Sequence, residues 1–323
     1  MTVLITGGAG YIGAHAVREL RAAGVQCVVL DNLSRGHRDL VADAELVIGD
    51  TRDTTFVRQI IGDHNVTAVM HFAAFAYVGE SVTDPLRYYD NNVTGTVRLL
   101  QAMVQADVRM FVFSSTCATY GVPESTPITE AHPQRPINPY GATKLMVERI
   151  LEDVDRAHGV RSVILRYFNA AGAHPSATLG ERHDPETHLI PLALQAAAGV
   201  RERVEIYGTD YATPDGTCIR DYIHVTDLAQ AHVLGLRYLE SGKESAVFNL
   251  GNGNGFSVRE VIAAVERITE RRVPCKVAPR RSGDPAVLVG SADKARQILG
   301  WRPQFDGLET IIETAWAWER RRS

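Results

Sequence analysis

The feature that most narrows the fold of this chain lies at its start, where Val3-Leu4-Ile5-Thr6 runs into Gly7-Gly8-Ala9-Gly10-Tyr11-Ile12-Gly13. The first four residues are apolar and β-favouring, and an amphipathic helix is expected from there to about Ala23. Glycines at 7, 10 and 13 leave room for a tight turn, for a pyrophosphate to approach the backbone, and for close packing of helix on strand. A second strand, Val25 to Leu30, ends in Asp31, 18 residues beyond Gly13. An acid near that interval accepts hydrogen bonds from ribose hydroxyls in doubly wound α/β folds. A glycine triplet alone says little, but strand, glycines, helix, strand and terminal acid in register predict a dinucleotide site. Asp31 would repel a 2′-phosphate, favouring NAD over NADP; Arg35 leaves the second option open.

The βα rhythm continues. Glu45 to Ile48 reads as a strand that places Asp50 and Thr51 near adenine. Ala68 to Ala74 reads as a buried strand entering a small-residue loop, with His71 expected to be a satisfied core histidine. Asp84 to Ala106 fits one long helix opened by an Asp-Pro cap, and Asn91 and Asn92 in its body suggest a face turned to the cofactor. Arg109 to Phe113 delivers Ser114, Ser115 and Thr116 to the carboxyl edge of the sheet, where ligands collect in such folds. A sixth strand spans Val160 to Phe168, and regular alternation stops in the Gly, Pro, His and acid-rich stretch 173–187. Thr217 to Val225 and a helix from Asp227 to Leu239 are expected to return to the sheet layer, with Ala246 to Leu250 as a last strand. The fold class is therefore α/β, a Rossmann-type parallel sheet with a smaller mixed lobe. The expected division is 1–172 for the first, with 220–250 returning to it, and 173–219 with 251–323 for the second.

Pro139-Tyr140-Gly141-Ala142-Thr143-Lys144 follows the dinucleotide signals. Four residues apart on a helix, Tyr140 and Lys144 share one face. An ammonium near a phenol favours phenolate, and a tyrosine useful as a base near neutral pH must fall about three units from its usual value of about 10. Lys144 and a cationic nicotinamide are expected to supply that shift together. The Thr116 hydroxyl suits a proton relay between a sugar hydroxyl and the phenol; alternatively, Ser114 to Thr116 simply satisfy backbone groups at a strand end. Cys117 is expected to be a small buried filler.

Composition removes other classes. With a net charge of −4 over 323 residues, there is no electrostatic case for nucleic acid or an anionic membrane. No apolar run approaches the roughly 20 residues a membrane helix needs. Met1 to Gly7 resembles a strand rather than a signal peptide. Cys27, Cys117, Cys218 and Cys275 are scattered without metal or disulfide spacing, so free thiols in a reducing cytoplasm are expected. The eleven histidines show no ligand cluster in the sequence, and no metal is expected.

Thr6 to Gly13, Asp31-Asn32-Leu33, Phe113 to Thr116, Tyr120-Gly121, Pro139 to Lys144 and Tyr167-Phe168-Asn169 together resemble the extended short-chain dehydrogenase/reductase superfamily. Gly79-Glu80-Ser81, Tyr88 to Val93, Gly216 to Val225 and Arg280-Arg281-Ser282-Gly283-Asp284-Pro285 narrow the resemblance to its UDP-glucose 4-epimerase family, over nearly the whole length. The resemblance implies an enzyme that oxidises the sugar of a UDP-sugar at C4, lets the 4-keto sugar turn over, and returns hydride to the other face. It implies Tyr140 as the base, Thr116 as the bridge to it, and Lys144 as the holder of the nicotinamide ribose. NAD would be held by Gly7, Gly10, Tyr11, Ile12 and Gly13, by Asp31, Asn32, Asp50 and Thr51, by Phe72, Ala73, Ala74 and Asn91, and by Ser114, Tyr140, Lys144 and Tyr167. For the UDP-sugar, Asn169, Arg220 and Arg281 would face the diphosphate, Asp284 the uridine ribose, and Tyr207 the uracil. His188, Leu189 and Tyr222, with Thr116 and Tyr140, complete the implied substrate set. A homodimer is the implied assembly.

Two residues depart from the family pattern. Ala76 replaces a cofactor-contacting lysine of some members, and Leu288 lies where a small residue admits N-acetyl sugars. Among rivals on this fold, a 4,6-dehydratase would want an acid beside Thr116, where Cys117-Ala118-Thr119 stand. A 4-epimerase of another UDP-sugar, such as UDP-GlcNAc or a uronic acid, is closer. A non-catalytic NAD-sensing module would have no need of the Tyr140–Lys144 pair.

Overall fold

Strands such as Ala68–His71, buried at every residue, belong in a parallel sheet with helices on both faces. In a computed structural model that describes residues 1–41, 44–281 and 284–322, they form one. The chain begins β1 (Thr2–Thr6), α1 (Tyr11–Ala22), β2 (Gln26–Asp31), β3 (Glu45–Ile48), α2 (Thr54–Asp63) and β4 (Ala68–His71). It continues through α3 (Val78–Thr83), α4 (Pro85–Tyr88), α5 (Gly95–Gln105), β5 (Met110–Thr116), α6 (Pro139–His158) and β6 (Arg161–Tyr167). Then come β7 (Asn169–Ala171), α7 (Leu189–Ala197), β8 (Val204–Tyr207), β9 (Ile219–His224), α8 (Val225–Glu240) and β10 (Ala246–Leu250). The last elements are β11 (Gly255–Ser257), α9 (Val258–Thr269), β12 (Cys275–Ala278), β13 (Val287–Leu288) and α10 (Leu308–Arg322).

The main sheet has seven parallel strands in the order β10-β6-β5-β4-β1-β2-β3. Its order reverses between β1 and β4, which opens a crevice at the carboxyl ends of the strands. The two-residue period of a strand divides the core in two. Val3 and Ile5 pack with Val17, Leu20 and Leu236 on the α1–α8 face, while Leu4 packs with Val57, Leu99 and Leu151 on the α2–α5–α6 face. A separate core of Ile190, Leu194, Val265 and Ile311 joins α7, α9 and α10 in the smaller lobe. Among the described residues no helix is long and apolar enough to cross a membrane. All four cysteines are free.

Three segments differ from the sequence expectation. The helix expected over Asp84–Ala106 consists of α4 and α5 joined by a π turn, Tyr89–Thr94. Asn92 in that turn is buried, accepting from Phe75 N at 2.8 Å and donating to Phe75 O and Thr143 Oγ1. These partners are remote in sequence, so no local pattern announces the wider turn. The strand expected to run to Phe168 changes sheets there: β6 stays in the main sheet, and β7 pairs with β9. Finally, β9 pairs with β7, β11 and β13 in a second sheet, whereas α8 packs on α1, β5 and β6, and β10 pairs with β6.

Candidate active site

Local chemistry fixes the helix that carries the tyrosine. Asn138 caps α6 by accepting from Gly141 N at 2.8 Å, and Pro139 occupies the first turn, where its missing N–H costs nothing. One turn apart on this helix, Tyr140 and Lys144 are both buried and both line a cleft of about 1100 Å³. Thr116, the last residue of β5, lines it too. Its hydroxyl caps the following turn by accepting from Ala118 N at 3.1 Å. Relay and strand-end cap are therefore compatible roles for one side chain.

The electrostatics correct one expectation. Burial pushes the Tyr140 phenol well above its ordinary value, the Tyr167 phenol adds to the rise, and hydrogen bonding with Thr116 opposes it. The protein's own groups thus raise this phenol rather than lower it. Lys144 is itself brought down to about 7 by burial, against the pull of Glu148. Its ammonium donates to Ser114 O at 2.8 Å and lies 4.8 Å from the centre of the Phe113 ring. Ser114 does not line the cleft; its hydroxyl pairs with Tyr167 OH at 2.7 Å, behind the lining residues. Deeper still, Glu148 receives Arg166 Nε at 3.0 Å, Gln134 Nε2 at 2.9 Å and the Ser115 hydroxyl. That buried charge is paired and satisfied.

The opposite end of the cleft is a cradle. Gly7 has φ +75°, and a Cβ there would sit 2.5 Å from Ala73 N. A Cβ on Gly13 would fall 2.2 Å from Gly7 O. At Gly10 the nearest atom would be 3.4 Å away, so the space above it is left to a ligand. Asp31 accepts from Ala9 N at 3.0 Å and Leu33 N at 2.8 Å, one on each oxygen, which leaves a lone pair on each for ribose hydroxyls. These residues, with Tyr11, Ile12, Asn32, Asp50 and Thr51, line the cleft together with Phe72, Ala73, Ala74, Asn91 and Tyr167. Asp50 is engaged by Arg52, which lowers its carboxyl to about 2, and accepts from Asn32 at 3.2 Å. His71 sits in the core between Thr6 at 2.6 Å and Thr96 at 2.9 Å. Cys117 lies half-buried at the cleft, where burial raises its thiol to about 12, so it is no nucleophile at neutral pH.

The far wall comes from the second sheet and the loops around it. Asn169, His188, Arg220, Arg281 and Asp284 line the cleft. Arg220 forms an ion pair with Asp284 and donates to Ile219 O at 2.7 Å. The Arg281 guanidinium lies 3.9 Å from the centre of the Tyr207 ring. Tyr207, Leu189 and Tyr222 are not among the residues lining this cleft; Tyr222 is buried, and Leu189 packs on the core of the smaller lobe. Ser282 and Gly283 of the Arg-Arg-Ser-Gly-Asp-Pro stretch lie outside the described residues.

The sequence presents Arg35 only as bearing on NAD against NADP. Arg35 reaches Glu80 at 2.9 Å and stacks at 4.9 Å on Tyr77, forming part of the wall. Also, contrary to the expectation that no histidines cluster, His183 and His188 converge with Glu181 and Glu186 within 4.8 Å. The Glu-x-His-x-x-Glu-x-His spacing was the available signal.

Crevice, glycine cradle and ribose-side acid define a dinucleotide-binding α/β protein with a tyrosine–lysine pair at its cleft. The chain belongs to the NAD dependent epimerase/dehydratase family, which matches residues 3–251. It is 51% identical over 319 residues to a UDP-glucose 4-epimerase of Lacticaseibacillus casei, covering 98% of this chain and 96% of that one. A UDP-glucose 4-epimerase from Brucella ovis, solved with NAD, superposes with a TM-score of 0.96 at 50% identity, covering 98% of this chain and 97% of that one. One from Bifidobacterium longum, solved with NAD+ and UDP, gives 0.94 at 38% identity, covering 99% and 98%.

Proposed function

We propose that this chain interconverts UDP-galactose and UDP-glucose by transient oxidation at the sugar C4, with NAD as a resident cofactor. One observation carries the reading: Thr116, Tyr140 and Lys144 open onto the same cleft as the Gly7–Gly13 cradle and Asp31. Bound NAD would supply a reversible hydride acceptor, and its positive charge would favour ionisation of a phenol that burial raises. Gly7, Gly10 and Gly13 would admit its pyrophosphate, Asp31 its adenosine ribose, and Lys144 its nicotinamide ribose.

Tyr140 takes the proton of the 4-hydroxyl, directly or through Thr116, and returns it when C4 is reduced again. Burial matters in both directions: a phenol shielded from water keeps the proton it has taken until the sugar oxygen claims it. Arg220 and Arg281 hold the diphosphate, whose charge suits their planar forks, and Asn169 lies beside them. Grip concentrated on the nucleotide leaves the keto sugar free to turn between two faces. The free thiols fit a reducing cytoplasm, and pairing of two chains is the assembly expected.

Incubating the purified protein with UDP-galactose and no added cofactor, then separating the sugar nucleotides, tests the reading. UDP-glucose should appear and reach equilibrium. Release of a dehydrated 4-keto-6-deoxy product would move the chain to the dehydratases, and an unaltered substrate, even with NAD added, would end the proposal.

A further inference from the structure

We propose that Glu181, His183, Glu186 and His188 bind one divalent metal ion of the zinc class, clipping the loop between β7 and α7 into the wall of the cleft. Each residue offers one ligand atom, and all four atoms lie within 4.8 Å of one another. Three of the separations come near the edge length of a coordination shell. His183 Nδ1 is 3.1 Å from Glu181 Oε1 and 3.5 Å from Glu186 Oε2, and His188 Nδ1 is 3.6 Å from Glu186 Oε1. A tetrahedron with metal–ligand bonds of about 2.0–2.1 Å has edges of about 3.4 Å. His188 Nδ1 and Glu181 Oε1 are in direct hydrogen-bond contact, closer than two ligands of one ion, so binding would part them.

The donor chemistry is selective. Two imidazole nitrogens and two carboxylate oxygens suit zinc and its transition-metal neighbours, whereas magnesium and calcium prefer oxygen alone. Two carboxylates also neutralise a divalent charge. His183 Nδ1 adds a second observation: it is buried against Glu181 Oε1 at 3.1 Å and Glu186 Oε2 at 3.5 Å without a well-aligned hydrogen bond, and the two carboxylates favour a proton on that ring. A divalent ion here would take that proton's place.

The surroundings hold the four side chains in place, as outer partners do in metal sites. Glu186 Oε1 accepts from the N–H groups of Thr187 at 2.8 Å and His188 at 2.9 Å. The carbonyl of Glu181 accepts from Trp318 Nε1 at 2.9 Å on α10. Arg182 forms an ion pair with Asp39, and Arg35 donates to Asp184 O at 2.7 Å, so the segment is tied to the dinucleotide side. His183 and His188 line the cleft, with the Tyr11 and Tyr77 rings edge-on to His183 at 6.2 and 6.0 Å. An ion here would join both lobes' contributions to one wall.

The test uses the full-length protein with its resident cofactor, treated with a chelator, dialysed, and titrated calorimetrically with Zn²⁺ and, separately, Mg²⁺. The expected result is uptake of one Zn²⁺ per chain at micromolar or tighter dissociation constant, at least a hundredfold weaker Mg²⁺ binding, and a thermal midpoint raised by equimolar Zn²⁺. Glu186→Gln and His183→Gln, read separately so that either can stand if the other does not fold, should each weaken Zn²⁺ at least tenfold and remove the thermal shift. No stoichiometric uptake overturns the proposal, as does Zn²⁺ binding unchanged in the variants, which would place the ion on other histidines or thiols. Equal affinity for Mg²⁺ would overturn the assigned metal class.

Discussion

On the β5–α6 side of the cleft, polar side chains are held by neighbours that the main sheet fixes: Lys144 by Ser114 O, Ser114 by Tyr167, Glu148 by Arg166. On the opposite side, the charged groups are held mainly by one another, Arg220 by Asp284 and His188 by Glu181, on strands and loops of the smaller lobe. The first arrangement suits proton transfer, where an ångström of misplacement is costly. The second suits a nucleotide, because Arg220 and Asp284, which both line the cleft, can exchange each other for a phosphate or ribose oxygen. The difference teaches a division of labour: one wall sets the chemistry, and the other sets what is held.

Substitutions that act on one wall alone can break that comparison. The largest effect should come from Tyr140→Phe, which removes the one phenol of the Tyr-x-x-x-Lys pair. Its turnover should fall by about 10³-fold, within the span of general acid–base effects, while the amount of NAD that copurifies stays the same. Near-normal turnover would remove Tyr140 from the chemistry. Next, Arg220→Ala should raise KM for the UDP-sugar by about 10–100-fold with a smaller change in kcat, as loss of a charge-assisted hydrogen bond does. If kcat fell as far as in the Tyr140 variant, the division between walls would fail.

Acid should weaken the fold as a whole, because buried histidines lie on α1, β4, β9 and α8. Burial lowers His15 and His71 to about 3 and His224 and His232 to about 4. In the unfolded chain these histidines take up protons near pH 6.5. Below that pH the unfolded state binds more protons, so their contribution to stability is present above about 6.5 and is lost as the pH falls toward 4 and 3. Urea midpoints measured from pH 7 to 4.5 should fall steadily, and replacing His71 by Gln should flatten the slope; a pH-independent midpoint would contradict this. The smallest expected effect is on specificity. Leu288 lines the cleft, and Leu288→Cys should raise the rate on UDP-GlcNAc relative to UDP-glucose by a few-fold. An unchanged ratio would show that this side chain does not limit the space.

What could be read from the sequence divides along the same line. The β1–Gly7–α1–β2–Asp31 unit is local, each part within a few turns of the next, so glycine spacing and strand pattern suffice to predict it. The Asn138 cap and the shared face of Tyr140 and Lys144 follow for the same reason. Lys144's destination does not: period alone puts it beside the phenol, but a buried carbonyl on β5 receives its ammonium. The inward turn of Asn92 depends on Phe75 and Thr143, and Arg220 meets Asp284 across 64 residues of chain. Those meetings are made by tertiary packing, whereas Glu181, His183, Glu186 and His188 lie within eight residues and are legible as a spacing.

The most direct test of the central claim follows one hydrogen. UDP-galactose carrying deuterium at C4, incubated in ordinary water, should yield UDP-glucose that keeps the deuterium at C4, because the atom leaves as hydride and returns to the same carbon without meeting solvent. Product in which that deuterium has been replaced by hydrogen from water would contradict the account.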